Sequence, residues 1–254
     1  MSVTIQYCSD LHLEFELNRK RIAKYPLEVK GDILLLAGDV TPFAQMEQHH
    51  AFFDFAAQNY KATYWIPGNH EYYGADIAMR GQSFNEAIRD NVFLLNNTSV
   101  SLDDITLICS TLWSHISPAN EWEITRAMSD FHLIRNGAGK LDIPAYNELH
   151  ATCLKFIKEA VRKAGTKKKV VMTHHVPTFM NYPEKYRSSV LNEAFTTELH
   201  DYIENSGINF WLYGHTHSNT PDFKIGNTKL LTNQFGYVQH GENKHFNNAK
   251  VFTI

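Results

Sequence analysis

The 254-residue sequence predicts an α/β fold with a parallel sheet, on two observations. Short apolar runs rich in β-branched and aromatic residues (Val3–Cys8, Ile33–Ala37, Ala62–Ile66) are separated by stretches with helix-like character. Each run ends abruptly in a polar loop that carries aspartate or histidine.

The elements follow in order. Phe43, Met46, Phe53, Ala56 and Ala57 recur at helical spacing and place a helix within Phe43–Tyr60. A second helix is expected over Asp76–Arg89. Val92–Leu95, Thr98–Leu102 and Ile105–Ser110 read as short strands joined by turns at Asn96–Asn97 and Asp103–Asp104. The polar and aromatic stretch Trp113–Asp142 is expected to hold a helix around Glu121–Ile134, ended by Gly137 and Gly139. At about residues 113–142 it would form a cap inserted into one domain spanning 1–254. Pro144 opens and Gly165 closes an amphipathic helix over Ala145–Ala164, with Leu149, Phe156, Ile157, Ala160 and Val161 on one face. Lys169–Thr173 and Asn209–Tyr213 read as strands on either side of a helix at Glu193–Asn205 closed by Gly207. Lys229–Thr232 and Ala249–Thr253 complete the set. Trp65 and Trp211 lie inside strands and read as core.

Composition narrows the class. The chain is 43% hydrophobic, enough for a sizeable core. Its net charge of -3 provides no basic field to draw nucleic acid, and Lys167–Lys169 reads as a solvated turn. Cys8, Cys109 and Cys153 are odd in number and far apart, which favours a reducing compartment over a disulfide framework. The first residues do not have the pattern of a signal peptide, and the longest apolar run, Ile33–Ala37, is too short to cross a bilayer. A cytoplasmic protein without a membrane partner is expected. Fourteen histidines is a high count for this length. His49–His50, His200, His240 and His245 have no partner pattern and read as surface residues.

Five motifs each begin where an apolar strand ends: Asp10-Leu11-His12, Gly38-Asp39, Gly68-Asn69-His70-Glu71, His174-His175 and Gly214-His215-Thr216-His217. Sites in open α/β sheets form outside the carboxyl ends of strands, so parallel strands would gather these groups in one place. Carboxylate, imidazole and amide oxygen suit borderline divalent metals. The glycines permit tight turns and close approach of the backbone.

In this order and placement the motifs resemble those of the calcineurin-like metallophosphoesterase superfamily, over residues 10–217. The resemblance implies a four-layer α/β/β/α sandwich, two mixed sheets flanked by helices. It implies two divalent ions, drawn from Mn, Fe, Zn, Co and Ni. Asp10, His12 and His217 would hold one, Asn69, His174 and His215 the other, and Asp39 would bridge them. A hydroxide between the ions would attack the phosphorus, and about one net positive charge would remain at the centre. His70 would donate a proton to the leaving oxygen or bind the phosphate, and Asp39 joins it as a catalytic residue. Asn69, His70, His175 and Arg126 are the candidate substrate contacts, with His115, His132 and Arg135 as further cap residues. Glu71 is expected to support a ligand histidine. Thr111-Leu112-Trp113, Met128–Phe131 and Asn233–Tyr237 further resemble a bacterial subgroup of the superfamily, from which Phe235 departs where an arginine is expected. The implied activity is hydrolysis of a small or nucleotide-like phosphodiester or phosphomonoester, with no nucleic-acid partner expected. A protein Ser/Thr phosphatase and a non-catalytic scaffold that retains the fold are the alternatives.

Overall fold

The computed structural model describes residues 2–254. Fourteen strands run in chain order as β1 Thr4–Cys8, β2 Ile33–Ala37, β3 Ala62–Ile66, β4 Phe84–Arg89, β5 Val92–Asn96, β6 Thr98–Leu102 and β7 Ile105–Cys109. They continue as β8 Arg135–Asn136, β9 Gly139–Lys140, β10 Lys168–Met172, β11 Phe210–Tyr213, β12 Phe223–Ile225, β13 Thr228–Thr232 and β14 Val251–Thr253. The α-helices are α1 Glu16–Lys24, α2 His50–Asn59, α3 Ile77–Arg80, α4 Glu121–Ala127, α5 Asp130–Leu133, α6 Ile143–Ala164 and α7 His200–Asn205. Two six-stranded mixed sheets carry the fold, ordered β14-β1-β2-β3-β5-β4 and β12-β13-β11-β10-β7-β6, while β8 and β9 form a separate hairpin.

Strand alternation assigns each face. Ile33, Leu35 and Ala37 of β2 meet Leu107 of β7, Val170 and Met172 of β10, and Leu212 of β11 between the sheets. Leu34 and Leu36 point the other way, onto Phe53 and Ala56 of α2. On the second sheet Val171 and Trp211 face outward onto Ile157, Ala160 and Val161 of α6. Helices therefore cover the outer faces of two sheets packed face to face, an α/β sandwich. Each fully buried leucine or isoleucine side chain contributes roughly 1.5–3 kcal/mol to this packing. Helix α6 begins at Asp142, whose Oδ1 accepts the Ala145 amide at 2.9 Å, and ends at Gly165 with φ of 58°.

Several expectations need correction. Asp76–Arg89 is not one helix: α3 stops at Arg80, and Phe84–Arg89 forms an edge strand paired antiparallel to β5. The pattern of Phe84–Arg89 serves a half-exposed edge, and sheet hydrogen bonds outweigh its helical propensity. The short strands around residue 96 form as expected but divide between the two sheets. β5 belongs to the first sheet and β6 to the second, and the chain crosses at Asn96–Asn97, where Asn97 has φ of 46°. The Asn96 amide secures the crossing by donating to the Gln82 carbonyl and accepting the Thr111 amide, both at 3.1 Å. The helix expected around Glu121–Ile134 is broken, since Met128 is extended between α4 and α5. The expected Glu193–Asn205 helix survives only as α7, because Phe195 and Thr197 exchange backbone hydrogen bonds with Val176. The Phe43–Tyr60 stretch is 3-10 helical over Phe43–His49 and α-helical only in α2. Strand β12 was not foreseen. Among the described residues no helix is long and apolar enough to cross a membrane.

Candidate metal centre

Strands β1, β2, β3, β10 and β11 are parallel or connected through parallel neighbours within their sheets, and their carboxyl ends open onto one basin. The two sheets meet there, where Ser9 after β1 pairs with Gln234 after β13. Asp10, His12, Asp39, Asn69, His174 and His215 are all buried, and His217 is nearly so. Asp10, His12, Asp39 and His217 form one group whose donor atoms converge within 4.8 Å, and Asp39, His174 and His215 form another. The Asn69 Oδ1 lies 3.2 Å from His174 Nε2 and joins the second group.

Backbone conformation is part of the construction. Nine non-glycine residues have positive φ among those described, and five are Asp10, His12, Asp39, His215 and His217, at 47–79°. Left-handed conformation costs roughly 1–2 kcal/mol per L-residue, so strain is concentrated in these loops. At Gly68 a Cβ would collide with the Asp39 carboxylate and the His174 ring. At Gly38 it would meet His174 and the Gly68 amide, with φ already at 88°.

The outer partners of the imidazoles decide which nitrogens face inward. His12 Nδ1 lies 3.1 Å from Glu14, His217 Nδ1 2.8 Å from Glu242, His174 Nδ1 2.9 Å from the Ala37 carbonyl, and His215 Nε2 3.3 Å from the Ala194 carbonyl. Each acceptor holds the ring proton outside, so in the neutral rings the opposite nitrogen turns a lone pair inward. The inward pairs are close: His12 and His217 Nε2 are 2.9 Å apart, and His174 Nε2 and His215 Nδ1 are 3.1 Å apart. Between the two pairs sits Asp39 Oδ2, buried and without a hydrogen-bond partner, 3.7 Å from His12 and 3.4 Å from His174. Converging lone pairs and an unpartnered carboxylate oxygen are a donor set for cations, and the residues fit divalent metals.

Electrostatics agrees that positive charge belongs here. Burial opposes a charged His217, yet hydrogen bonds to Asp10 and Glu242 outweigh it and raise its pKa to about 10. Burial likewise opposes His174, but Asp39 and Asp10 raise it to about 9. A metal ion competes with those protons for the same lone pairs. His215 goes the other way, held well down by burial and then by His175 and His174.

Other site residues were not foreseen. Glu14 Oε1 lies 3.1 Å from His12 Nδ1 and 3.0 Å from His70 Nδ1. Burial opposes its ionisation, but these two hydrogen bonds hold its pKa at about 2. His70 Nε2 meets the Tyr237 hydroxyl at 3.2 Å, and the His70 amide donates to Asp39 Oδ1 at 3.0 Å. Asp130 accepts the Asn69 amide group and the Tyr73 hydroxyl, each at 2.8 Å, which turns Asn69 Oδ1 toward His174. Asp130 and Tyr237 lie in segments that the resemblance to a subgroup of the family singled out. Glu14 and Glu242 offered no comparable signal.

Several sequence assignments change. Glu71 makes no hydrogen bond to a histidine; it accepts the backbone amides of Asp39, Val40 and Gly68 at 2.7–2.9 Å and so ties the Gly38-Asp39 and Gly68 loops together. His175 is fully buried against Trp113 and Tyr146 and takes no part in the cavity wall. Arg126 is exposed, its guanidinium 4.4 Å from the Trp122 ring centre, and is likewise absent from the wall. His115, His132 and Arg135 are exposed as well, whereas His49, read as a surface residue, is buried. Phe235 packs on Phe246 in the core beside α2.

A cavity of about 730 Å³ opens over the basin, lined on one side by Met128, Ser129 and Leu133 from the 113–142 stretch. A two-sheet sandwich with carboxylates and imidazoles gathered at its strand ends has the architecture of a metal-dependent phosphoesterase. Residues 3–219 match the calcineurin-like phosphoesterase family, and the chain belongs to it. Uncharacterized protein L509 of Acanthamoeba polyphaga mimivirus is 34% identical over 265 residues, covering 94% of this chain and 93% of that protein. The phosphopantetheinyl hydrolase PptH of Mycobacterium tuberculosis has a similar fold, with a TM-score of 0.69 at 14% identity over 99% of this chain and 95% of its own.

Proposed function

We propose that the protein hydrolyses small phosphate esters with two divalent cations, and the observation that carries this is the pair of converging imidazole sets sharing Asp39. Asp10, His12 and His217 would hold one ion, Asn69, His174 and His215 the other, and Asp39 would serve both. When bound, such ions supply an ionised water as nucleophile at neutral pH and neutralise the phosphoryl oxygens. The chain's own residues do the rest. Glu14, Glu242, Ala37 and Ala194 fix the imidazole tautomers. Asp130 fixes the Asn69 amide, and Glu71 holds the backbone of the Asp39 and Gly68 loops. His70 faces the cavity with Nδ1 against Glu14 and Nε2 toward Tyr237, and would give a proton to the leaving oxygen. The 113–142 stretch serves as one wall of the substrate cavity. The three buried, unpaired cysteines support a reducing compartment.

Titrating metal-free protein with Mn²⁺ should give two equivalents bound, with hydrolysis of p-nitrophenyl esters that a chelator abolishes. Binding of no metal together with no hydrolysis would favour a scaffold, and hydrolysis untouched by chelation would remove the metal mechanism. Glu242→Ala should weaken Mn²⁺ binding about 10–100-fold, since His217 loses the carboxylate that orients it. A chelator-competition assay checks this, and unchanged affinity would leave Glu242 no role in orienting the ligand.

A further inference from the structure

The cavity is far larger than a phosphoryl group, and its wall shows what else it accommodates. No lysine or arginine lines it among the described residues. Basic residues of the adjoining segments have other partners. Arg19 donates to the Leu13 and Glu14 carbonyls, Arg80 pairs with Glu86, Arg187 pairs with Glu184, and the Lys185 ammonium sits 4.4 Å from the Tyr186 ring centre. Glu14 and Glu242 also line the cavity and add two carboxylates to those of Asp10 and Asp39. The net positive charge left for an anion is therefore smaller than ligand counting alone implies, and beyond His70, whose two ring nitrogens already meet Glu14 and Tyr237, a dianion finds no guanidinium or ammonium to receive its second charge.

Apolar surface flanks both halves of the basin. Beside His12 and His217 stands Tyr237, its ring centre 4.6 and 4.4 Å from theirs, with Phe15 packed against it at 5.3 Å. Beside His215 stands Phe195, stacked at 4.5 Å, with Leu191 and Met128 in the same wall. A phosphorus atom over the basin would thus have an apolar surface on each side. The rest of the wall, with Gln45, Ser189, Asn192 and Gln239, is polar but uncharged, so the cavity favours uncharged substituents over an additional phosphate.

We infer that this site, given the phosphoesterase reading on which the inference rests, takes phosphodiesters with uncharged, apolar or aromatic substituents in preference to dianionic monoesters and polyphosphates. The charge is tested with Mn²⁺-loaded protein on methyl p-nitrophenyl phosphate, which carries one negative charge, against p-nitrophenyl phosphate, which carries two at pH 8. The diester should have the higher kcat/KM by about tenfold or more. The apolar walls are tested with phenyl p-nitrophenyl phosphate, which should show a lower KM than the methyl ester. A readout independent of turnover is calorimetric binding of two product-like anions, and diphenyl phosphate should bind more tightly than phenyl phosphate. Equal or better use of the monoester, with tighter binding of phenyl phosphate, would overturn the inference while leaving the phosphoesterase reading intact. Hydrolysis of none of these esters by protein that holds its metal would remove both.

Discussion

Asp39→Asn is expected to abolish the second equivalent of bound metal and to lower ester hydrolysis by about three orders of magnitude, the scale of losing a major electrostatic contact in an active site. The reason is geometric. Asp39 belongs to both of the groups assigned to the two ions, and its Oδ2 lies between His12 and His174 with no hydrogen-bond partner. The exchange keeps the shape of the side chain, and asparagine tolerates the left-handed φ of 54° at this position. Burial opposes the Asp39 charge, but His174 and His70 outweigh it and hold its pKa well below the usual carboxylate range, so the exchange should lower the stability of the metal-free protein at neutral pH. Metal analysis, turnover and a thermal midpoint on the same preparation test all three parts. Two equivalents of metal with unchanged turnover would end the shared-carboxylate account.

His70→Ala should separate catalysis from metal binding. Both metal equivalents should remain, while turnover falls about 10²–10⁴-fold for esters with poor leaving groups. Burial opposes a charged His70, but Asp39 and Glu14 outweigh it and raise its pKa, so the ring is suited to carry a proton near neutral pH. A p-nitrophenolate leaving group needs little protonation, so its ester should lose much less than an alkyl ester. Measuring kcat for both esters in the variant checks the role. Equal losses would make His70 a phosphate-binding group, and lost metal would make it a structural support for His12, whose ring lies 4.5 Å from its own.

Much of the fold was legible because its central strands are short apolar runs ended by polar loops. Ile33–Ala37 and Ala62–Ile66 match the observed strands at both ends. They are buried on both faces or nearly so, and burial selects the same residues that local pattern does. The misreadings fall where tertiary pairing overrides local preference. Phe84–Arg89 looks helical alone but completes a sheet edge, and Glu193–Thr197 gives up its helix to pair with Val176.

The site divides in the same way. Asp10, His12, Asp39, Asn69, His174, His215 and His217 announce themselves because each sits in a short motif directly after a strand, and parallel strands must end together. Glu14, Asp130 and Glu242 could not be read this way. Glu14 reaches His70 across 56 positions, Asp130 reaches Asn69 across 61, and Glu242 reaches His217 across 25. The sequence by itself determined the strand ends and the inward donor types, since both depend on local pattern. Only the tertiary structure decided the imidazole tautomers, the unpartnered Asp39 oxygen and a cavity wall without lysine or arginine among the described residues. These arise from contacts between distant segments, and a hydrogen bond or a cavity surface exists only once both partners are in place.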